Sequence, residues 1–426
     1  MVFRSRQGFA TVFVASLGAL GAVFAPADSH SQTFREEATA RGVTVTTRPR
    51  PEYDPVGVRL GAFRLDAAAE LGLGYDDNVF GRKDNRTGDG YFTNGGSASL
   101  VSGWTRHAVG VSGFVEDRRY FSETGLSTTD WGVNTFGRYD FDAQTSLEAR
   151  YTHQRSHLDV YSVDVQQAGL TRPAPFDTDE FQVTGTTWFN RLALTGIGTY
   201  RMVRYEDLDV GGVRQQLSRN DYNSWLGALG AAYAISPGRL VTLIGRLQDI
   251  SYDDRSQRGR DSFTWEALVG FQYDFDGVWQ ARGGIGYIQR SFSSPTLKNV
   301  EGVAFEGQVI WAATQLTTLS MGVRRSIEVS ITESNASYTR SLVNANVDHE
   351  LLRNVILGAE LGVSYSDYQT TNVDSTDGYA VLSARWLLNR NMALTASYQY
   401  STRFQGSSTL EEYYRNLVQV RLRFAL

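Results

Sequence analysis

Arginine is the residue type on which chemistry in this chain would rest. Of its 41 basic side chains, all but Lys83 and Lys298 are arginine. A guanidinium is a planar fork of donors that can meet a carboxylate through two parallel bonds, so arginines along one wall could bind acidic groups such as sugar acids. The spacing shows which of them share a wall. In one stretch after another, polar and apolar residues alternate one for one, the period of a strand whose two faces meet different surroundings. By that parity Arg64, Arg118, Arg138, Arg150, Arg201, Arg246, Arg282, Arg290, Arg324, Arg340, Arg385, Arg403, Arg421 and Arg423 fall on the polar face. Asp66, Glu70, Glu116, Asp140, Glu148, Glu180, Glu266, Glu306, Asp348 and Glu360 join them there. Paired across strands, most of these charges would form a stabilising mesh. The excess of four cations would favour anionic solutes. Phe114, Phe136 and Trp188 share the polar face, where they could stack on sugar rings or pack against an inward-folded loop.

Other chemistries find little support. The absence of cysteine excludes disulfides, thiolate metal sites and a lipid-modified cysteine anchor. Five histidines are scattered, and His153 with His157 forms no metal or catalytic pattern. The chain holds no GxSxG elbow, no HExxH and no phosphate loop, so no catalytic residue, cofactor or metal is expected. Asp76, Asp77, Asp84 and Asp89 lack calcium-loop spacing and read as a solvated acidic loop. A net charge of -5 gives no basis for nucleic-acid binding.

The elements that position the arginines are strands, and the last of them shows the logic. Val418, Val420, Leu422, Phe424 and Leu426 alternate with Gln419, Arg421 and Arg423. Two arginines on one face cost little if that face lines a wet lumen while the other meets lipid. The same rhythm starts at Phe63 and scarcely stops, giving eight short turns, nine longer loops and about 18 strands. In the eighth strand, Tyr222, Leu226 and Ala228 are the expected outward residues. The fold class is all-β: a transmembrane outer-membrane β-barrel of about 18 antiparallel strands, closed by pairing the last strand with Phe63–Gly74. A barrel of that size leaves an aqueous channel. The last strand also resembles the closing, assembly-signal strand of bacterial outer-membrane barrels, although it ends in Leu426 with its aromatic at Phe424.

Three regions follow. Residues 1–27 read as a signal peptide, with Arg4 and Arg6 before the apolar Phe9–Phe24 and the Ala25-Pro26-Ala27 cleavage site. Residues 28–61, with Pro49, Pro51 and Pro55, read as a periplasmic arm too short to plug a gated transporter. Residues 62–426 are the barrel, with both termini in the periplasm and the long loops outside.

The run Arg48-Pro49-Arg50-Pro51-Glu52-Tyr53-Asp54-Pro55, then Gly57-Val58-Arg59-Leu60-Gly61, then Gly74-Tyr75-Asp76-Asp77-Asn78-Val79-Phe80, resembles the opening segment of the putative beta-barrel porin-2 family. The resemblance implies an outer-membrane export or diffusion channel, often associated with exopolysaccharide export. It implies outer-membrane lipid, lipopolysaccharide, the barrel assembly machinery and periplasmic polysaccharide co-polymerase or export proteins as partners. The expected function is export of an exopolysaccharide or capsular polysaccharide. The alternatives are a general diffusion porin for small solutes and a structural scaffold barrel.

Overall fold

Strict two-residue alternation leaves a sheet with one apolar and one polar face, and closure removes the edges such a sheet would otherwise expose. The computed structural model describes residues 43–275, 277–332, 336–368, 373–405 and 410–426, so the expected signal peptide and the start of the arm lie outside the described residues. The eighteen barrel strands are β1 (Phe63–Asp76), β2 (Asp89–Ser102), β3 (Ala108–Tyr120), β4 (Thr128–Asp140), β5 (Ser146–Leu158) and β6 (Ala174–Phe189). They continue as β7 (Leu192–Tyr205), β8 (Tyr222–Ser236), β9 (Arg239–Tyr252), β10 (Ser262–Phe275), β11 (Trp279–Phe292) and β12 (Val300–Thr314). The last six are β13 (Thr317–Val329), β14 (Ser337–Leu352), β15 (Val355–Tyr368), β16 (Val373–Asn389), β17 (Met392–Gln405) and β18 (Tyr413–Ala425).

Each strand pairs antiparallel with the next, and β18 pairs with β1 as expected: Phe424 lies opposite Ala69, Leu422 opposite Leu71 and Val420 opposite Leu73. A three-residue strand, Val58–Leu60, doubles back on the start of β1. The Gly57 N–H donates to the Leu426 carbonyl at 3.2 Å and the Leu426 N–H to the Ala67 carbonyl at 2.9 Å, which ties the final residue into the seam. Gly57 has φ +70°, and an added Cβ would stand 2.6 Å from the Asp66 carboxylate, so the tight return needs glycine.

Large apolar side chains cover the outside, with Leu73 61%, Leu229 75% and Ile285 64% exposed. Two aromatic belts bound this surface, as lipid interfaces require. Trp131, Tyr151, Phe181, Tyr200 and Trp225 lie towards the long loops, and Tyr200 and Trp225 are 4.4 Å apart. Phe63, Trp104, Tyr139, Phe141 and the stacked pair Trp279–Trp311 lie towards the termini. Strand β8 corrects one expectation. Trp225, Leu229 and Tyr233 face out, while Leu226 is buried inside. Both of its faces are rich in alanine, glycine and apolar residues, so alternation alone could not fix its parity.

Candidate functional site

The inner wall is recognisable from contacts that only a concave surface permits. Arg421 on β18 reaches Glu116 on β3 at 2.6 Å, and Arg246 on β9 reaches Glu306 on β12 at 3.0 Å. Arg246 also holds Glu266 at 2.7 Å, and Glu70 takes Arg423 at 3.2 Å and Arg421 at 3.6 Å. Arg201 pairs with Glu180 at 2.5 Å, Arg150 with Glu148 at 2.7 Å, Arg138 with Asp140 at 2.8 Å and Arg64 with Asp66 at 2.6 Å. Glu360 accepts from the Tyr379 hydroxyl at 2.7 Å. Arg324 lies across the ladder from Glu306, Arg385 stands near enough to Asp348 to act on its charge, and Arg282 is exposed on the wall. The mesh is therefore present. The excess of four cations is not. The registers place Asp76, Asp89, Asp130, Asp274, Glu350 and Asp377 on the same face, against one further arginine, Arg415. These acids sit at strand ends, where alternation gives way to loop and does not assign a face.

Towards the long loops the lumen is filled. The segment between β5 and β6, residues 159–173, turns inward and carries a short helix, α1 (Val163–Gln167). Ser162 caps it, accepting from the Val165 N–H at 3.4 Å. The Asp164 carboxylate accepts from the Ser330 hydroxyl at 2.8 Å and from the Tyr368 hydroxyl at 3.3 Å. Ser330 follows β13 and Tyr368 ends β15, so the latter contact lies nine strands from β6 around an eighteen-strand ring. The loop spans the lumen from wall to wall. On its way Arg403 of β17 donates to Gln166 Oε1 at 2.5 Å and to the Tyr161 carbonyl at 3.0 Å while paired with Asp377 at 2.8 Å. Val160, Val165 and Leu170 pack into an apolar cluster with the inward-facing Tyr91, Tyr120, Leu158, Phe176, Val203 and Leu417. Val163 packs with Tyr338, Tyr368, Val373 and Leu410 on the far side. Burial pushes the Asp164 carboxyl up to about 6, against the pull of Ser330, the Ile331 N–H, Tyr368 and Arg260.

Neighbouring loops complete this plug. Arg260, from the turn between β9 and β10, donates to Asn220 Oδ1 at 2.7 Å and also reaches the Ser330 carbonyl. Arg415 forms a buried pair with Asp76 at 2.5 Å and lies 4.4 Å over the Tyr161 ring. The first acidic stretch is thus solvated only in part, with Asp84 exposed. Asp76 is buried against Arg415, and Asp89 accepts from the Ser122 and Glu123 N–H groups at 2.9 and 2.8 Å. A carboxylate beside a strand end satisfies orphan backbone donors, a use that spacing does not reveal. Arg403, expected to line open lumen, is 2% exposed because the loop seats on it, and Arg118 is largely covered beside the Tyr91 ring.

The opposite mouth is crossed by the arm. The Val45 N–H donates to Thr318 Oγ1 at 3.0 Å, and Arg50 meets Glu350 at 2.8 Å with both side chains buried. Arg48 adds a second contact to Glu350 at 3.2 Å and reaches the Gln315 carbonyl. Arg390 donates to the Pro51 carbonyl at 2.8 Å. From the seam at Gly57 the arm therefore runs beneath β18 to β13. The described part of the arm is docked on the barrel.

The model of the family described as "Putative beta-barrel porin 2" matches residues 50–426. No curated protein matches the chain. Among solved structures, OccAB2 of Acinetobacter baumannii is 12% identical over 85% of this chain and 98% of its own, with TM-score 0.47. The outer membrane protein OpdK of Pseudomonas aeruginosa is 12% identical over 85% and 98%, with TM-score 0.45. The ferric enterobactin receptor PfeA of the same organism is 9% identical over 84% and 80%, with TM-score 0.41.

Proposed function

Because the chain belongs to the putative beta-barrel porin 2 family, we propose that this outer-membrane barrel is a gated channel for hydrophilic solutes rather than a permanently open pore. One observation carries the reading: a polar wall of paired arginines and acids is crossed at its long-loop end by a loop pinned to the far wall through Asp164 and Arg403. A scaffold barrel has no need of a wet, charge-lined interior. A general diffusion porin needs no loop that runs from one wall of its lumen to the other. The long-loop end faces the exterior and the arm faces the periplasm in this reading.

The finer assignment is export of an exopolysaccharide, supported by the family's association with such systems and by Phe114 and Phe136 on the inner wall, where rings could stack on sugars. The partners are then lipopolysaccharide around the outer belt, the assembly machinery acting on the β18 seam, and periplasmic export proteins engaging residues 28–61. Planar-bilayer recording tests the gate. Low basal conductance that rises on shortening residues 159–173 supports it, while a fully open wild-type pore refutes it. Deleting the gene tests the solute: secreted polysaccharide should disappear, and unchanged polysaccharide with slower uptake of small solutes would favour the diffusion porin.

A further inference from the structure

A second site lies lower on the wall, in a recess of about 30 Å³ between β8 and β13. That volume admits a water or two, or the head of a carboxylate. Four guanidinium groups, from Arg246, Arg290, Arg324 and Arg325, line it against two carboxylates, Glu266 and Glu306. Both carboxylates are engaged by Arg246, at 2.7 and 3.0 Å. Arg290 is the anomaly. It is 1% exposed. It donates to Thr264 Oγ1 at 2.8 Å, Gln248 Oε1 at 3.2 Å and the Glu328 carbonyl at 3.5 Å. The Glu328 carboxylate instead accepts from the Ser326 hydroxyl at 2.6 Å, so its field reaches Arg290 but its oxygens do not. A guanidinium has five N–H donors, and two here have no acceptor among the described residues. A cation buried without a bonded counter-charge is costly, and Ile288 and Ile327 along the recess make its surroundings drier still.

We infer that the recess binds a carboxylate, with Arg290 as its fork and Thr264 and Gln248 as the groups that aim it. The solute is then an acidic sugar or another small organic acid whose carboxylate enters the recess while the remainder stays in the lumen. This deepens the channel reading and rests on it, since a solute must travel the lumen to arrive. The buried charge of Arg290, to which no carboxylate oxygen is bonded, gives the sign of the ligand, and the small volume limits it to a single planar head group.

Isothermal titration of the folded barrel in detergent tests binding without requiring transport. Sodium glucuronate should bind at least tenfold more tightly than glucose, with acetate between them if the ring contributes. Acetate equal to glucuronate would identify a general organic-acid site, which the inference also covers. Arg290→Gln should weaken glucuronate at least tenfold, and Arg255→Gln, on an exposed loop, should leave it unchanged. Thr264→Val keeps the charge and loosens its aim, so it should weaken binding several-fold even if Arg290→Gln fails to fold. Equal binding of glucuronate and glucose, or wild-type affinity in folded Arg290→Gln or in Thr264→Val, overturns the inference. An open or closed conductance bears on the gate alone, so the two readings fail separately.

Discussion

At the loop end the lumen is crossed by residues 159–173, and at the terminus end the described part of the arm lies between Val45 on Thr318 and Gly57 on Leu426. The two are held by different materials. Residues 159–173 bury Val160, Val163, Val165 and Leu170, and each such side chain contributes roughly 1.5–3 kcal/mol. The described arm buries one aliphatic side chain, Val45, and relies on Arg48 and Arg50 sharing Glu350. An apolar seat tolerates salt and small displacements. A seat made of one shared carboxylate is lost when that carboxylate is removed. The loop's seat is thus the more durable of the two, and the arm's is the more easily released.

The sharpest way to break this comparison is to remove the loop's seat. Replacing residues 160–171 with a short glycine-serine linker should raise single-channel conductance several-fold, the largest effect expected of any variant, because eighteen strands enclose an aqueous lumen once nothing crosses it. If conductance does not change, the loop is not the constriction and the arm must be.

Glu350→Ala comes next. Removing one partner of a buried pair costs about 3–5 kcal/mol because the other charge is left without compensation. Here two arginines lose the same carboxylate, so the arm should detach and chymotrypsin should cut after Tyr53. Conductance through the loop end should stay low. A simultaneous rise would mean that the two mouths are coupled.

Acidity offers a trigger for the loop. The Asp164 carboxyl is raised to about 6 when docked and returns towards about 3.9 when released. An acid whose docked value is raised binds its proton more tightly in the docked state. Docking is therefore strongest below the released value and weakens as pH rises from about 4 through 6, by about 3 kcal/mol in all. Groups facing Asp164 include Tyr368, Tyr338, Tyr205, Tyr252 and Arg260. Tyrosine and arginine side chains do not change charge between pH 4 and 7, so Asp164 carries the titration. Conductance should rise between pH 4 and 7, and Asp164→Asn should hold it low throughout.

The wall was more legible in the sequence than the plug. Lipid and water impose opposite demands on alternate residues, so strand count, closure and the faces of Arg246 or Arg421 follow from parity. Parity says nothing where neither face is distinctive, as in β8. It also says nothing of where a loop goes, because Val163 and Asp164 find partners on strands more than 150 residues later. One signal was available: Tyr120, Leu158 and Phe176 put apolar groups on the polar face near strand ends, which makes sense only if something covers them. Similarly, Arg290 looked like its neighbours until burial set it apart.

The smallest effect separates the mesh from both plugs. Arg421 is held by Glu116 at 2.6 Å and by Glu70 at 3.6 Å, and Glu70 keeps Arg423. Were Arg421 a free cation, Arg421→Gln would simply cost the lumen anion preference. As a paired one, its loss takes the 2.6 Å partner from Glu116 and leaves it only Arg118 at 3.9 Å, while Glu70 keeps Arg423. Reversal potentials in a salt gradient should shift modestly towards cations, and Glu116→Gln added to it should restore the wild-type value. Insertion should be normal in both, because closure rests on the apolar ladder of Val418, Val420, Leu422 and Phe424 and on backbone pairing with β1. A double variant that stays cation-selective would show that the pair is not the unit, and that the neutral wall deduced from the registers carries a field of its own.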